Sequence, residues 1–128
     1  MTISSKEALS SLPNPYRNKT YTVSITQEIT PGEQIFLFGL RYVPDKLLLD
    51  HDGLSEYLEQ ILTCRSAKTE ILIHDILEDI MDQIIPKWIE VYLSQKQNKF
   101  GQNLLITVED RQPGWKDDLM LSRLPAIF

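Results

Sequence analysis

The chain has 128 residues, of which 42% are hydrophobic and 24% charged, a globular balance that excludes a collagen-like, disordered or coiled-coil chain. Thirteen basic against eighteen acidic residues leave a net charge of −5, which disfavours general binding to phosphate backbones or anionic lipid. One cysteine, Cys64, cannot form an internal disulfide, no apolar run approaches the ~18 residues of a membrane span, and the first residues lack a signal-peptide core. These features predict one domain in a reducing, cytoplasmic setting, with no nucleic-acid or membrane partner.

Residues 1–20 are polar, carry Pro13 and Pro15, and read as an N-terminal arm. Periodicity starts at Tyr21. Val23, Ile25 and Ile29 alternate with Ser24 and Thr26, the pattern of a half-buried strand. Pro31 and Gly32 signal a turn, and Ile35 to Val43 predicts a second strand, closing a hairpin over 20–43. Leu54, Tyr57, Leu58, Ile61 and Leu62 recur at three- and four-residue spacing and predict an amphipathic helix after Gly53, broken by the polar stretch from Thr63 to Lys68. From Thr69 a longer stripe runs through Leu72/Ile73, Ile76/Leu77, Ile80/Met81 and Ile84/Ile85. Thr69 is the expected N-cap and Pro86 the stop. Trp88 to Ser94 and Leu104 to Val108 alternate as two further strands, and residues 111–128 read as an irregular tail with one helical turn. The order ββααββ, with strands in pairs around two helices, predicts an α+β domain over 21–110 with an antiparallel sheet and two helices on one face.

Particular residues narrow this. Asn14 and Pro15 precede the strand that begins Tyr21-Thr22-Val23-Ser24-Ile25. RYVPDKLLLD stands at 41–50, Leu54 precedes Tyr57 and Leu58, Glu70 opens an acidic helix, and Pro86-Lys87-Trp88-Ile89-Glu90-Val91 follows it. These stretches resemble the 7-cyano-7-deazaguanine reductases, the nitrile reductases of queuosine biosynthesis, within the tunnelling-fold (T-fold) superfamily. Between Val43 and Leu58 the spacing fits without a gap, and the resemblance spans roughly residues 14–110.

The resemblance implies an NADPH-dependent oxidoreductase in which sheets of several subunits form a barrel. It also implies sites between subunits, a cysteine that adds to the nitrile, an aspartate that handles protons, and a glutamate that grips the heterocycle. In the family the cysteine and aspartate lie in a Cys-Pro-x-Thr-Gly-x-Pro-Asp-Phe loop between the first two strands. Here that connection is TPGEQIF at 30–36, shorter and without cysteine, with Gln34 or Glu33 near the aspartate position. No residue in it replaces a thiolate. The family's cofactor motif, Glu-x-Lys-Ser-Leu-Lys, aligns with Asp50, His51, Asp52, Gly53, Leu54 and Ser55, so both phosphate-neutralising lysines are absent. NADPH is therefore expected only if the family activity is retained. The glutamate survives: sixteen residues before Pro86 stands Glu70, with Thr69 at the family's neighbouring histidine.

Beside these, Glu70 on its own is an acid in a helix's first turn, favoured there by the macrodipole. Cys64, with Arg65 and Lys68 nearby, is either a relocated nucleophile or a packing cysteine. Asp50, His51 and Asp52 match no zinc signature, Glu70, His74 and Glu78 at i, i+4, i+8 spacing share one helix face that reads as hydrated and charged, and no metal is expected. Trp88 and Tyr92 read as core or subunit-contact residues. The chain is expected to be a divergent homo-oligomeric member that binds a purine- or pterin-like heterocycle through Glu70 rather than reducing a nitrile. The alternative is a non-catalytic structural or regulatory paralogue assembling with itself or with an active relative that supplies the cysteine.

Overall fold

A computed structural model of the protein describes residues 5–64, 68–96 and 100–126. After a 3-10 turn at Ser5–Ala8, the chain forms β1 (Ser11–Pro13), β2 (Val23–Ile29), β3 (Ile35–Val43), β4 (Leu47–Leu49), α1 (His51–Cys64), α2 (Thr69–Ile84), β5 (Trp88–Lys96), β6 (Leu104–Arg111) and α3 (Asp118–Ser122). The main sheet has the order β2-β3-β5-β6, antiparallel throughout, and β1 pairs with β4 in a separate two-stranded ribbon. The α+β arrangement expected from the apolar spacing is therefore present, with α2 against β5 and β6 and α1 beside β2.

Alternation along the strands decides which face the helices cover. Ile89, Val91 and Leu93 of β5 are fully buried, and so are Phe38 and Leu40 of β3. Against them lie Leu54, Tyr57, Leu58 and Ile61 of α1 and Leu72, Ile73, Ile76, Ile80 and Ile84 of α2, joined in one cluster. Burying a side chain of this size stabilises by roughly 1.5–3 kcal/mol, so this layer carries most of the fold. The opposite face of the sheet is polar by comparison. There Arg41 makes a two-pronged contact with Glu90, its neighbour in register, and also donates to the Pro125 carbonyl at 2.5 Å, which draws the C-terminal segment onto the sheet.

Four local expectations are corrected. The polar N-terminal segment is not merely an arm: β1 pairs with Leu47–Leu49, Leu9 is buried, and buried Asn14 donates to the Asp45 carbonyl while accepting from the Tyr16 amide and the Tyr21 hydroxyl. α1 begins at His51, before Gly53, because Asp50 caps it. The Asp50 carbonyl accepts the Leu54 N–H, and its carboxylate accepts the Asp52 N–H at 3.4 Å. α1 also runs on to Cys64, with the Thr63 hydroxyl donating back to the Glu59 carbonyl. Thr69 is not the N-cap of α2. Lys68 holds that position without a side-chain bond, because the Thr69 hydroxyl is committed to Gln95.

Two positions show backbone or steric constraint. Ile85 ends α2 in the left-handed region at φ 43°, where a β-branched side chain is strained, and it is 56% exposed. Gly39 faces Tyr92 across the β3–β5 pair, and a Cβ at Gly39 would lie 1.8 Å from the Tyr92 ring. Tyr92 therefore packs over Gly39 on the open face of its own sheet. Replacing Ile85 by glycine should raise stability by about 1 kcal/mol in urea denaturation, since strain is relieved with little apolar area lost. Gly39→Val should cost about 1–3 kcal/mol, and much less in a Tyr92→Ala background; equal costs in both backgrounds would show that the ring is not the obstacle.

Candidate functional site

The two ends of the sheet carry different chemistry. At one end lie the β2–β3 turn, the start of α2 and the end of β5. The register Ile29↔Phe36 sets this end apart from Val23↔Tyr42 at the other. The turn is tight: the Gln34 N–H donates to the Pro31 carbonyl at 3.3 Å and Gly32 takes φ 64°. The connection between β2 and β3 is thus only a few turn residues long, and none of them is a cysteine.

Of the two candidates for the aspartate position, Glu33 is exposed and Gln34 makes the connection to the body. Its side-chain oxygen accepts from Gln95 Nε2 at 2.6 Å, and Gln95 Oε1 accepts from the Thr69 hydroxyl at 3.1 Å. Thr69 and Gln95 are both buried. Gln34 and Thr69, the residues that the resemblance sets at an aspartate and a histidine, are therefore neutral groups joined through a third. A chain of amides and a hydroxyl positions donors and acceptors but has no group that gains or loses a proton near neutral pH.

Gln95 was not among the residues expected at this site, although its register contained the signal. It continues the inward row Ile89, Val91, Leu93, so an amide stands where alternation calls for an apolar side chain. Replacing it with leucine strands the buried Thr69 hydroxyl, while the side chain of exposed Gln34 is left to water. Gln95→Leu should lower stability by about 1–3 kcal/mol, measured as a shifted denaturation midpoint.

Glu70 is the next residue after Thr69, in the first turn of α2, and is exposed. Its carboxylate has no hydrogen-bond or ion-pair partner among the described residues. Its backbone carbonyl accepts from His74 Nδ1 at 2.7 Å, which orients that ring one turn further along. Cys64 closes α1, but its side chain and residues 65–67, including Arg65, lie outside the described residues. Among the described residues no group of three or more His, Cys, Asp or Glu side chains could hold a metal ion. No helix there is long and apolar enough to cross a membrane.

The stretch 50–55 lies at the other end of the sheet. Asp50 caps α1 and accepts from the Ser10 hydroxyl at 2.9 Å. His51 and Asp52 are exposed. Gly53 abuts the N-terminal segment so closely that a Cβ would sit 2.5 Å from the Ala8 carbonyl, Leu54 is core, and Ser55 Oγ accepts from Gln27 Nε2 at 2.9 Å. These residues hold the helix start in place. They offer no cation to a phosphate, so they do not fit NADPH in the family's manner. Beside them is a hollow of about 510 Å³, bordered by Leu12, Tyr16, Tyr21, Tyr42, Leu48 and the triplet 50–52. Within one chain, Glu70 and this stretch do not meet.

The ββααββ core, with a four-stranded antiparallel sheet and two helices on one face, is a tunnelling fold. The chain matches no protein-family model. Among solved structures it is similar to an archaeosine synthase QueF-Like in the apo form, with a TM-score of 0.50 and 18% identity, over 70% of this chain and 91% of that one. At that identity the likeness establishes the fold.

Proposed function

We propose that the protein binds a purine- or pterin-like heterocycle through Glu70 and does not reduce a nitrile. A carboxylate at a helix start, without a partner among the described residues, can accept two N–H bonds from the amidine edge of such a ring, and charge-assisted pairs of this kind are about twice as strong as neutral ones. The observation that carries the reading is the neutral Gln34–Gln95–Thr69 chain beside Glu70. It retains hydrogen-bonding capacity next to the carboxylate and replaces both proton-handling residues, in a turn with no thiol.

The site belongs to an oligomer in this reading. Glu70 is exposed in the single chain, and β2 and β6 each have one open edge. Joining such edges side by side satisfies their backbone groups and closes a barrel, which would wall the Glu70 pocket with a neighbouring copy. An active relative could take the same place, giving the regulatory alternative.

Thermal shift and calorimetry with guanine, pterin and 7-cyano-7-deazaguanine test the assignment. At least one ring should raise Tm, and Glu70→Ala should weaken its binding by about a hundredfold. Absence of a shift with all three, or a shift that persists in the variant, overturns it. NADPH oxidation dependent on 7-cyano-7-deazaguanine should be absent. Turnover that vanishes in Cys64→Ser would replace the binding reading with a relocated thiolate.

A further inference from the structure

The hollow at the start of α1 has a composition unlike that of the Glu70 end. Three tyrosines border it: Tyr16, 57% exposed at the rim, half-buried Tyr21, and Tyr42, whose ring is 1% exposed. Leu12 and Leu48 add apolar wall. Each buried phenol is held in place, Tyr21 donating to Asn14 Oδ1 at 2.9 Å and Tyr42 accepting the Leu49 N–H at 3.2 Å. Burial raises the Tyr42 pKa, opposed only in part by that Leu49 bond, so the phenol is neutral at ordinary pH. About 510 Å³ is enough for a small organic molecule.

The charge around it is one-sided. Asp50 and Asp52 border the hollow, and no Lys or Arg does so among the described residues. Asp50 is turned toward Ser10 and the Asp52 N–H, and Asp52 has no side-chain partner among the described residues. The N-terminus of α1 points the other way electrostatically, with about half a positive charge. One of its free N–H groups is already satisfied by Asp50, and two full carboxylates outweigh the remainder. An anion such as a nucleotide phosphate is therefore repelled. A cation gains twice, from the carboxylates and from aromatic faces, whose negative quadrupoles attract cations.

We propose that this hollow is a binding site for a small organic cation, an ammonium group carried on a flat apolar body. The apolar body lies against the tyrosine and leucine wall, and the ammonium faces Asp52 and Asp50. The site is separate from Glu70, which lies at the opposite end of the same chain's sheet.

Three indole compounds of nearly equal size isolate the charge: tryptamine, tryptophol and indole-3-propionate. Binding is measured by calorimetry on the full chain at pH 8, where an ordinary imidazole is neutral and a primary amine charged. Tryptamine should bind about tenfold more tightly than tryptophol, and indole-3-propionate more weakly than either. Asp52→Asn should reduce the tryptamine advantage over tryptophol by about threefold or more, and Tyr16→Ala should weaken both ligands. Both side chains are exposed, and unchanged thermal melts confirm that the variants fold. Glu70→Ala should leave tryptamine binding unchanged. Equal affinity for tryptamine and tryptophol, no binding of tryptamine, an unaffected Asp52→Asn, or loss of tryptamine binding in Glu70→Ala would each overturn the proposal.

Discussion

The apolar layer between the two helices and one face of the sheet is the constraint on which the rest of the structure depends. β3 and β5 are central, pairing along their whole lengths, and they present Phe38, Leu40, Ile89, Val91 and Leu93 to α1 and α2. Because side chains alternate with a period of two, burying that row commits Arg41, Glu90 and Tyr92 to the other face. The same register that builds the core thus places an ion pair and an aromatic ring over Gly39 on the open side. It also carries Gln95 inward, where it meets Thr69 at the start of α2.

From that frame follows a division between the ends of the sheet. The turn end holds a chain of neutral hydrogen-bonding groups beside the exposed carboxylate of Glu70. The other end holds tyrosines, leucines and two carboxylates around a hollow. The acid balance of the chain acquires locations in this way: Asp50 caps a helix, Glu90 pairs with Arg41, Glu109 accepts from the Trp88 indole, and Asp82 pairs with Lys6. Trp88 is buried on the face it shares with Glu90, outside the apolar cluster, and is held at its polar edge by Glu109 of β6.

The elements with strong periodicity were legible from the residues alone. β3 runs from Ile35 to Val43 and α2 from Thr69 to Ile84 as the spacing indicates, since nine- and sixteen-residue patterns contain enough repeats to distinguish a strand from a helix. The β1–β4 ribbon was not legible, because two three-residue strands have no period and form only when Ser11 and Leu49 are brought together from 38 positions apart. The start of α1 was missed because Gly53 reads as a breaker, whereas its lack of a side chain is what lets the Ala8 carbonyl approach. Glu70, Thr69 and Gln34 are each singled out by the sequence separately. Their connection through Gln95 is not, because a hydrogen-bond chain across three elements leaves no mark in any one of them.

What the sequence determined by itself was the α+β order, the apolar faces, the absence of a thiol from the first turn and the absence of lysine and arginine from residues 50–55. All of these are local properties of composition and spacing. Only the tertiary structure decided which polar residues meet. It bound Thr69 to Gln95 instead of to its own helix end, turned Gln34 rather than Glu33 toward the body, and set Glu70 and Asp52 at opposite ends of the sheet. Those outcomes depend on strand register and on the direction in which each helix crosses the sheet, quantities fixed by packing the whole apolar layer at once.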